Sequence, residues 1–112
     1  MYRVLFCAIA TLIANQAFAN DIIRLKTEWE RCVDEAIFNF ATTSTEAADI
    51  IVRAGYGSCY GRAVNYAHDF VKTMKEIDEP VGNPRSVWLD TEEESMNLFI
   101  SKVLKYRAEV AK

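Results

Sequence analysis

Ile22-Ile-Arg-Leu-Lys-Thr-Glu-Trp29-Glu-Arg-Cys32-Val-Asp-Glu-Ala-Ile-Phe-Asn-Phe40 is the stretch whose periodicity decides the fold. Its apolar positions, Ile22, Leu25, Trp29, Cys32, Val33, Ala36, Ile37 and Phe40, recur at intervals of three and four, the spacing of one helical face. Arg24, Lys26, Glu28, Glu30, Arg31, Asp34 and Glu35 fill the opposite side. The segment reads as a first amphipathic helix that buries Trp29 and carries a cysteine on its inner flank.

Moving toward the C-terminus, Thr43-x-x-Glu46 has the form of a capping box, which places a short link before a second helix and makes the two helices antiparallel. The second stripe runs through Ala47, Ala48, Ile51, Gly55, Cys59, Ala63, Tyr66, Phe70, Met74 and Ile77. It crosses Gly55-Tyr-Gly-Ser-Cys59-Tyr-Gly61, whose three glycines together weaken a helix by about 3 kcal/mol relative to alanine. Continuity of the stripe favours one continuous or bent helix over a break. Asp78-Glu-Pro-Val-Gly-Asn-Pro84 then ends all regular structure, and Trp88 and Leu89 are expected in that loop, packed down on the helices. Thr91-x-x-Glu94 opens the third helix, with a stripe of Met96, Phe99, Ile100, Val103, Leu104, Arg107 and Val110. No segment alternates in the manner of a strand. The expected fold is all-α: a three-helix antiparallel bundle, or four-helix if the glycine segment splits the second helix.

Moving toward the N-terminus, Arg3 precedes an apolar run from Val4 to Ala14 and then Ala17-Phe-Ala19, the pattern of a cleaved export leader. The run is shorter than the roughly 20 apolar residues a membrane span needs. Residues 1–19 are therefore expected to be a signal peptide and residues 20–112 a single helical domain, exported to the periplasm or secreted, with no membrane span after cleavage. Cys7 leaves with the leader, so Cys32 and Cys59 are the cysteines that remain, and an oxidising compartment pairs them. Such a bridge is worth roughly 3.5 kcal/mol in the chain-entropy model. The formal charge is −3 for the whole chain and becomes one unit more negative without Arg3, which gives no electrostatic reason to bind nucleic acid.

Catalytic and metal-binding patterns find no support. Gly55-x-Gly57-x-x-x-Gly61 misses dinucleotide-loop spacing by one residue and follows no strand. Ser58 lacks the flanking glycines of a nucleophile elbow. His68, the only histidine, stands beside Asp69 at a spacing where helical neighbours do not face each other, and a zinc site would need more ligands than Cys32, Cys59 and His68 supply. The expectation is no enzyme, no metal and no cofactor. The small-residue strip Gly57-x-x-x-Gly61 is expected to let the first helix come close. Tyr56, Gly57, Tyr60 and Gly61 are the candidate surface for a protein partner in the cell envelope, because tyrosine brings contact area and a hydrogen bond at low entropy.

The order Trp29-x-x-Cys32, then Thr43-x-x-Glu46-Ala47-x-x-Ile50-x-x-x-Ala54-x-x-x-x-Cys59, resembles small exported helical proteins of Gram-negative bacteria whose role is uncharacterised. The likeness covers residues 29–60 and implies the leader, the helix pair and the bridge. Cys59-Tyr-Gly-Arg-Ala-Val64 is also similar to a Cys-x-Gly-Tyr-Ile stretch of periplasmic immunity proteins, with Arg62 where those carry tyrosine and no later cysteine. Periplasmic acid-stress chaperones share the short helical form and the single bridge near a tryptophan. These resemblances and the residues together imply a non-catalytic binding module of the envelope, of immunity or inhibitor type, with a stress chaperone or a structural envelope protein as alternatives. Amphipathic helices with aromatic flanks leave the oligomeric state open.

Overall fold

The computed structural model describes the backbone of residues 2–111 and the side chains of residues 21–111. Four helices follow in order: α1 Tyr2–Thr43, α2 Ala48–Ser58, α3 Tyr60–Glu76 and α4 Pro84–Ala111, with no strand among the described residues. The side chains of the expected leader, residues 1–19, lie outside the described residues. α1 packs against each of the other three helices, and α4 packs against α2 and α3.

The expected bridge is present. Cys32 on α1 and Cys59 are bonded, with their Cα atoms 6.0 Å apart, an ordinary separation for a disulfide. Cys59 is also where the expected continuous second helix divides. It is the single residue between α2 and α3, and its φ of −107° and ψ of 17° leave the helical basin. Its N–H still donates to the carbonyls of Gly55 and Tyr56, and its own carbonyl accepts from the N–H groups of Arg62 and Ala63. The bend therefore leaves no orphaned polar group at Cys59, which explains how an apolar stripe can run through a break. No glycine has positive φ, so the glycines here weaken the helix rather than shape the turn.

The close approach between helices falls one turn earlier than expected. A Cβ on Gly55 would lie 2.9 Å from Ile37 Cγ2 and 3.6 Å from the Val33 carbonyl oxygen, so α1 rides directly over Gly55. Gly57 and Gly61 face outward, where an added Cβ would meet nothing within 4 Å. The packing role expected of Gly57-x-x-x-Gly61 belongs to Gly55.

Neither expected capping box forms. Thr43 is still inside α1, and its hydroxyl donates to the carbonyl of Asn39 at 2.6 Å, which removes it from any capping role. α2 begins after Ala47 without a side-chain cap, while the Ser44 hydroxyl accepts the Glu46 N–H at 3.1 Å in the link. α4 starts at Pro84 and not at Thr91, because Asn83 caps it: its side-chain oxygen accepts the Ser86 N–H at 2.8 Å, and Pro84 occupies the first helical position, where its fixed φ is an advantage. Thr91 lies within α4 and donates to the Val87 carbonyl at 2.8 Å. Trp88 and Leu89, expected in the loop, consequently stand in the first turns of a helix.

The core gathers Trp29, Val33, Ile37 and Ala41 from α1, Ile51, Val52 and Tyr56 from α2, Cys59, Ala63 from α3, and Phe99 and Val103 from α4. At its centre the Trp29 ring stacks on Tyr56 at 5.6 Å between centroids, and both meet Phe99 edge-to-face at 6.0 Å. Such pairs add about 0.5–1.5 kcal/mol each beyond the area they bury. The Trp29 indole N–H is buried there without a partner. The contacts of α1 with α2 pair Ile37 with Gly55, and Cys32 with Cys59, an antiparallel register. Those of α1 with α4 pair Trp29 with Phe99, and Phe38 with Tyr106, a parallel one. Leu104, Val110 and Ile77, expected on inner stripes, are exposed. Tyr106 takes an inner place on α4 instead, donating its hydroxyl to Asp34 Oδ1 at 2.5 Å, while Lys102 reaches the same oxygen at 3.4 Å.

Candidate functional site

The bend at Cys59 and the early start of α4 bring two sets of aromatic residues together. Arg53, Tyr56 and Gly57 on α2, Tyr60 at the start of α3, and Trp88, Leu89, Glu92 and Met96 on α4 line an open groove of about 530 Å³. Tyr60 and Trp88 form perpendicular walls, their ring centroids 5.1 Å apart. Tyr60 is 52 % exposed and Leu89 46 % exposed, large apolar areas for a small protein to leave in water beside one another.

Three of the four residues expected at a partner surface line this groove: Tyr56, Gly57 and Tyr60. Their roles differ. Tyr60 offers its ring to solvent, whereas Tyr56 is only 6 % exposed and serves the core with its ring. Tyr56 is fixed by its hydroxyl, which donates to the Glu92 carbonyl at 2.8 Å and pairs with the Ser95 hydroxyl at 2.7 Å. Burial, and the negative charge of Glu92, raise its pKa, while the Ser95 hydrogen bond pulls it partway back. Gly57 leaves the α2 wall without bulk. Gly61 is exposed and lies outside the groove.

Glu92 is the half-buried carboxylate of this arrangement. Its carboxylate accepts the Trp88 indole N–H at 3.2 Å, which orients both side chains. Burial pushes its carboxyl above the ordinary range, and the indole bond lowers it in part. Among the described residues no ion pair to Glu92 forms. Arg53 and Glu93, both exposed, stand at the rim with opposite charges.

The chain matches no family model, no curated protein and no solved structure. The chemistry of the groove therefore has to be read from its own residues.

No group of three or more His, Cys, Asp or Glu is gathered among the described residues in a way that could hold a metal ion. His68 is exposed, beside Asn65, Asp69 and Lys72, and no arrangement of nucleophile and base surrounds it. The groove contains no nucleophile next to a base either. What it can do is seat an apolar or cationic side chain in the corner formed by the two rings.

Sequence reasoning missed Trp88, Leu89, Glu92 and Arg53 as parts of one site. The available signal was Asn83-Pro84. Read as a helix start, it puts Trp88 and Glu92 four residues apart on one face of α4, where the indole and the carboxylate can meet.

Proposed function

We propose that this chain is an exported, non-catalytic binding module that docks a protein partner in the periplasm or outside the cell through the groove between α2 and α4. The observation that carries the reading is the pair of perpendicular rings of Tyr60 and Trp88 standing half open beside exposed Leu89. Aromatic side chains gathered in a concave, partly dry setting are the usual anchors of protein interfaces. Export is supported by the leader pattern of residues 1–19 and by the Cys32–Cys59 bridge, and among the described residues no helix is long and apolar enough to cross a membrane.

The test places a photo-crosslinking amino acid at Tyr60, and separately at Arg24 on the solvent side of α1, in cells producing the protein. The reading expects a discrete adduct from position 60 alone, lost when Trp88→Ala is added. Equal adducts from both positions, or an adduct indifferent to Trp88, overturns it. N-terminal sequencing of the envelope fraction checks export in the same cells, with Asn20 expected as the first residue.

A further inference from the structure

Resting on the groove as a docking site, we infer that its occupant is a basic side chain, lysine or arginine, of the partner protein, lodged in the corner that the Tyr60 and Trp88 rings form and neutralising Glu92. Glu92 is a carboxylate inside a groove of aromatic and aliphatic walls, and its one side-chain partner is a neutral indole N–H at 3.2 Å. A charge in that setting without an opposite charge is unfavourable, and a cation brought in by a partner relieves it through a charge-assisted hydrogen bond.

The walls suit the same guest. Tyr60 and Trp88 meet at 90°, so their faces bound two sides of a corner, and the faces of such rings attract a cation. Met96 and Leu89 supply apolar contact for the methylene stem of a long basic side chain. Arg53, Glu92 and Glu93 together leave the groove with one net negative charge, and Glu92 is the more buried of the two carboxylates. The formal charge of −3 on the whole chain acts in the same direction, drawing basic surfaces from a distance. An acidic guest would meet Glu92 and Glu93 together, with Arg53 alone to receive it.

The measurement is an NMR titration of the oxidised protein with two blocked pentapeptides, acetyl-Ala-Ala-Lys-Ala-Ala-amide and the same peptide carrying norleucine in place of lysine. The indole N–H of Trp88 reports on the groove and that of Trp29, sealed in the core, serves as internal control. The lysine peptide is expected to shift the Trp88 resonance saturably and to bind roughly tenfold more tightly than the norleucine peptide, leaving Trp29 in place. In Glu92→Gln, which keeps an acceptor for the indole, the preference for lysine disappears while the spectrum remains that of a folded protein. Equal binding of the two peptides, an unchanged preference in Glu92→Gln, or no response from Trp88 to either peptide overturns the inference. A crosslinked partner that depends on Trp88 yet survives Glu92→Gln would leave the docking site standing and remove only the basic guest.

Discussion

Arg107 Nη2, near the end of α4, lies 3.0 Å from the carbonyl oxygen of Ser44, in the link between α1 and α2. The same guanidinium donates through Nη2 to the Glu46 carbonyl and through Nε to the Ala41 carbonyl. One side chain from the last helix therefore satisfies a carbonyl that the end of α1 leaves open, at Ala41, and two in the link, at Ser44 and Glu46. Its planar fork of donors suits three acceptors at once, and its positive charge stands at the negative end of α1.

Arg107→Ala should accordingly destabilise the protein by about 2 kcal/mol, since charged hydrogen bonds to partly buried carbonyls are lost together. Arg107→Lys should recover less than half of that, because a single ammonium cannot span the same acceptors. Urea denaturation followed by circular dichroism measures both. A loss under about 0.5 kcal/mol for Arg107→Ala would show that water replaces the side chain at no disadvantage.

Gly55 and Gly57 should respond to alanine in opposite directions. Gly55→Ala drives a methyl group against Ile37, which is fully buried, and should cost about 1–3 kcal/mol from overpacking, with helix propensity returning up to about 1 of it. Gly57→Ala meets open space and should stabilise by up to about 1 kcal/mol. Thermal melts of the two variants, read side by side, decide the matter. Equal effects would place the α1 crossing elsewhere.

Tyr106 gives an alkaline signature. Its hydrogen bond to Asp34, helped by burial and by the negative charges of Asp34 and Glu109, holds its hydroxyl to a pKa of about 12 against an ordinary 10.0. The native state therefore keeps this proton longer than the unfolded chain. The stability from this contact is complete below pH 10 and is lost as pH rises toward 12. Tyr106→Phe should lower stability by about 1–2 kcal/mol at pH 7 and flatten the decline between pH 10 and 12. Denaturation midpoints across that range supply the comparison; a decline of unchanged slope in the variant is the contrary result.

Glu92→Gln is expected to raise stability slightly at pH 7, within about 0.5 kcal/mol. Burial raises its carboxyl pKa, so the native state binds this proton more readily than the unfolded state, and the charged form weighs against folding at neutral pH. The difference between variant and parent should shrink as pH falls through the raised value. A groove residue whose removal makes the fold more stable is the pattern expected where binding, and not folding, retains it. A clear loss of stability at pH 7 would assign Glu92 a structural role instead.

The parts of this fold legible in the sequence are those where one physical signal acts alone. Trp29, Val33 and Ile37 repeat at helical spacing with charges opposite, and they form the buried face of α1. Cys32 and Cys59 had no competitor in the chain beyond residue 19, and they are bonded. Signals that two segments could claim were misread. The Thr43 hydroxyl suits a new helix or the end of the old one, and the carbonyl of Asn39 was nearer. Pro84 can close a helix or open one, and the Asn83 side chain beside it decided for opening. Tyr56 reads as a flank residue until Trp29 and Phe99 are brought against its ring by tertiary packing, which no local pattern records. The groove needed two of these points at once, the bend at Cys59 and the start at Pro84, so its tyrosines could be singled out while its tryptophan could not.

Tyr60 is the residue directly after Cys59, and Cys59 is bonded to α1. Among the described residues, α1 contributes no side chain to the groove lining. The longest helix thus acts on the groove as a hidden strut, setting the attitude of one wall through a single covalent joint behind it. Cutting that joint would leave every groove residue in the chain and still loosen the angle at which the two rings meet.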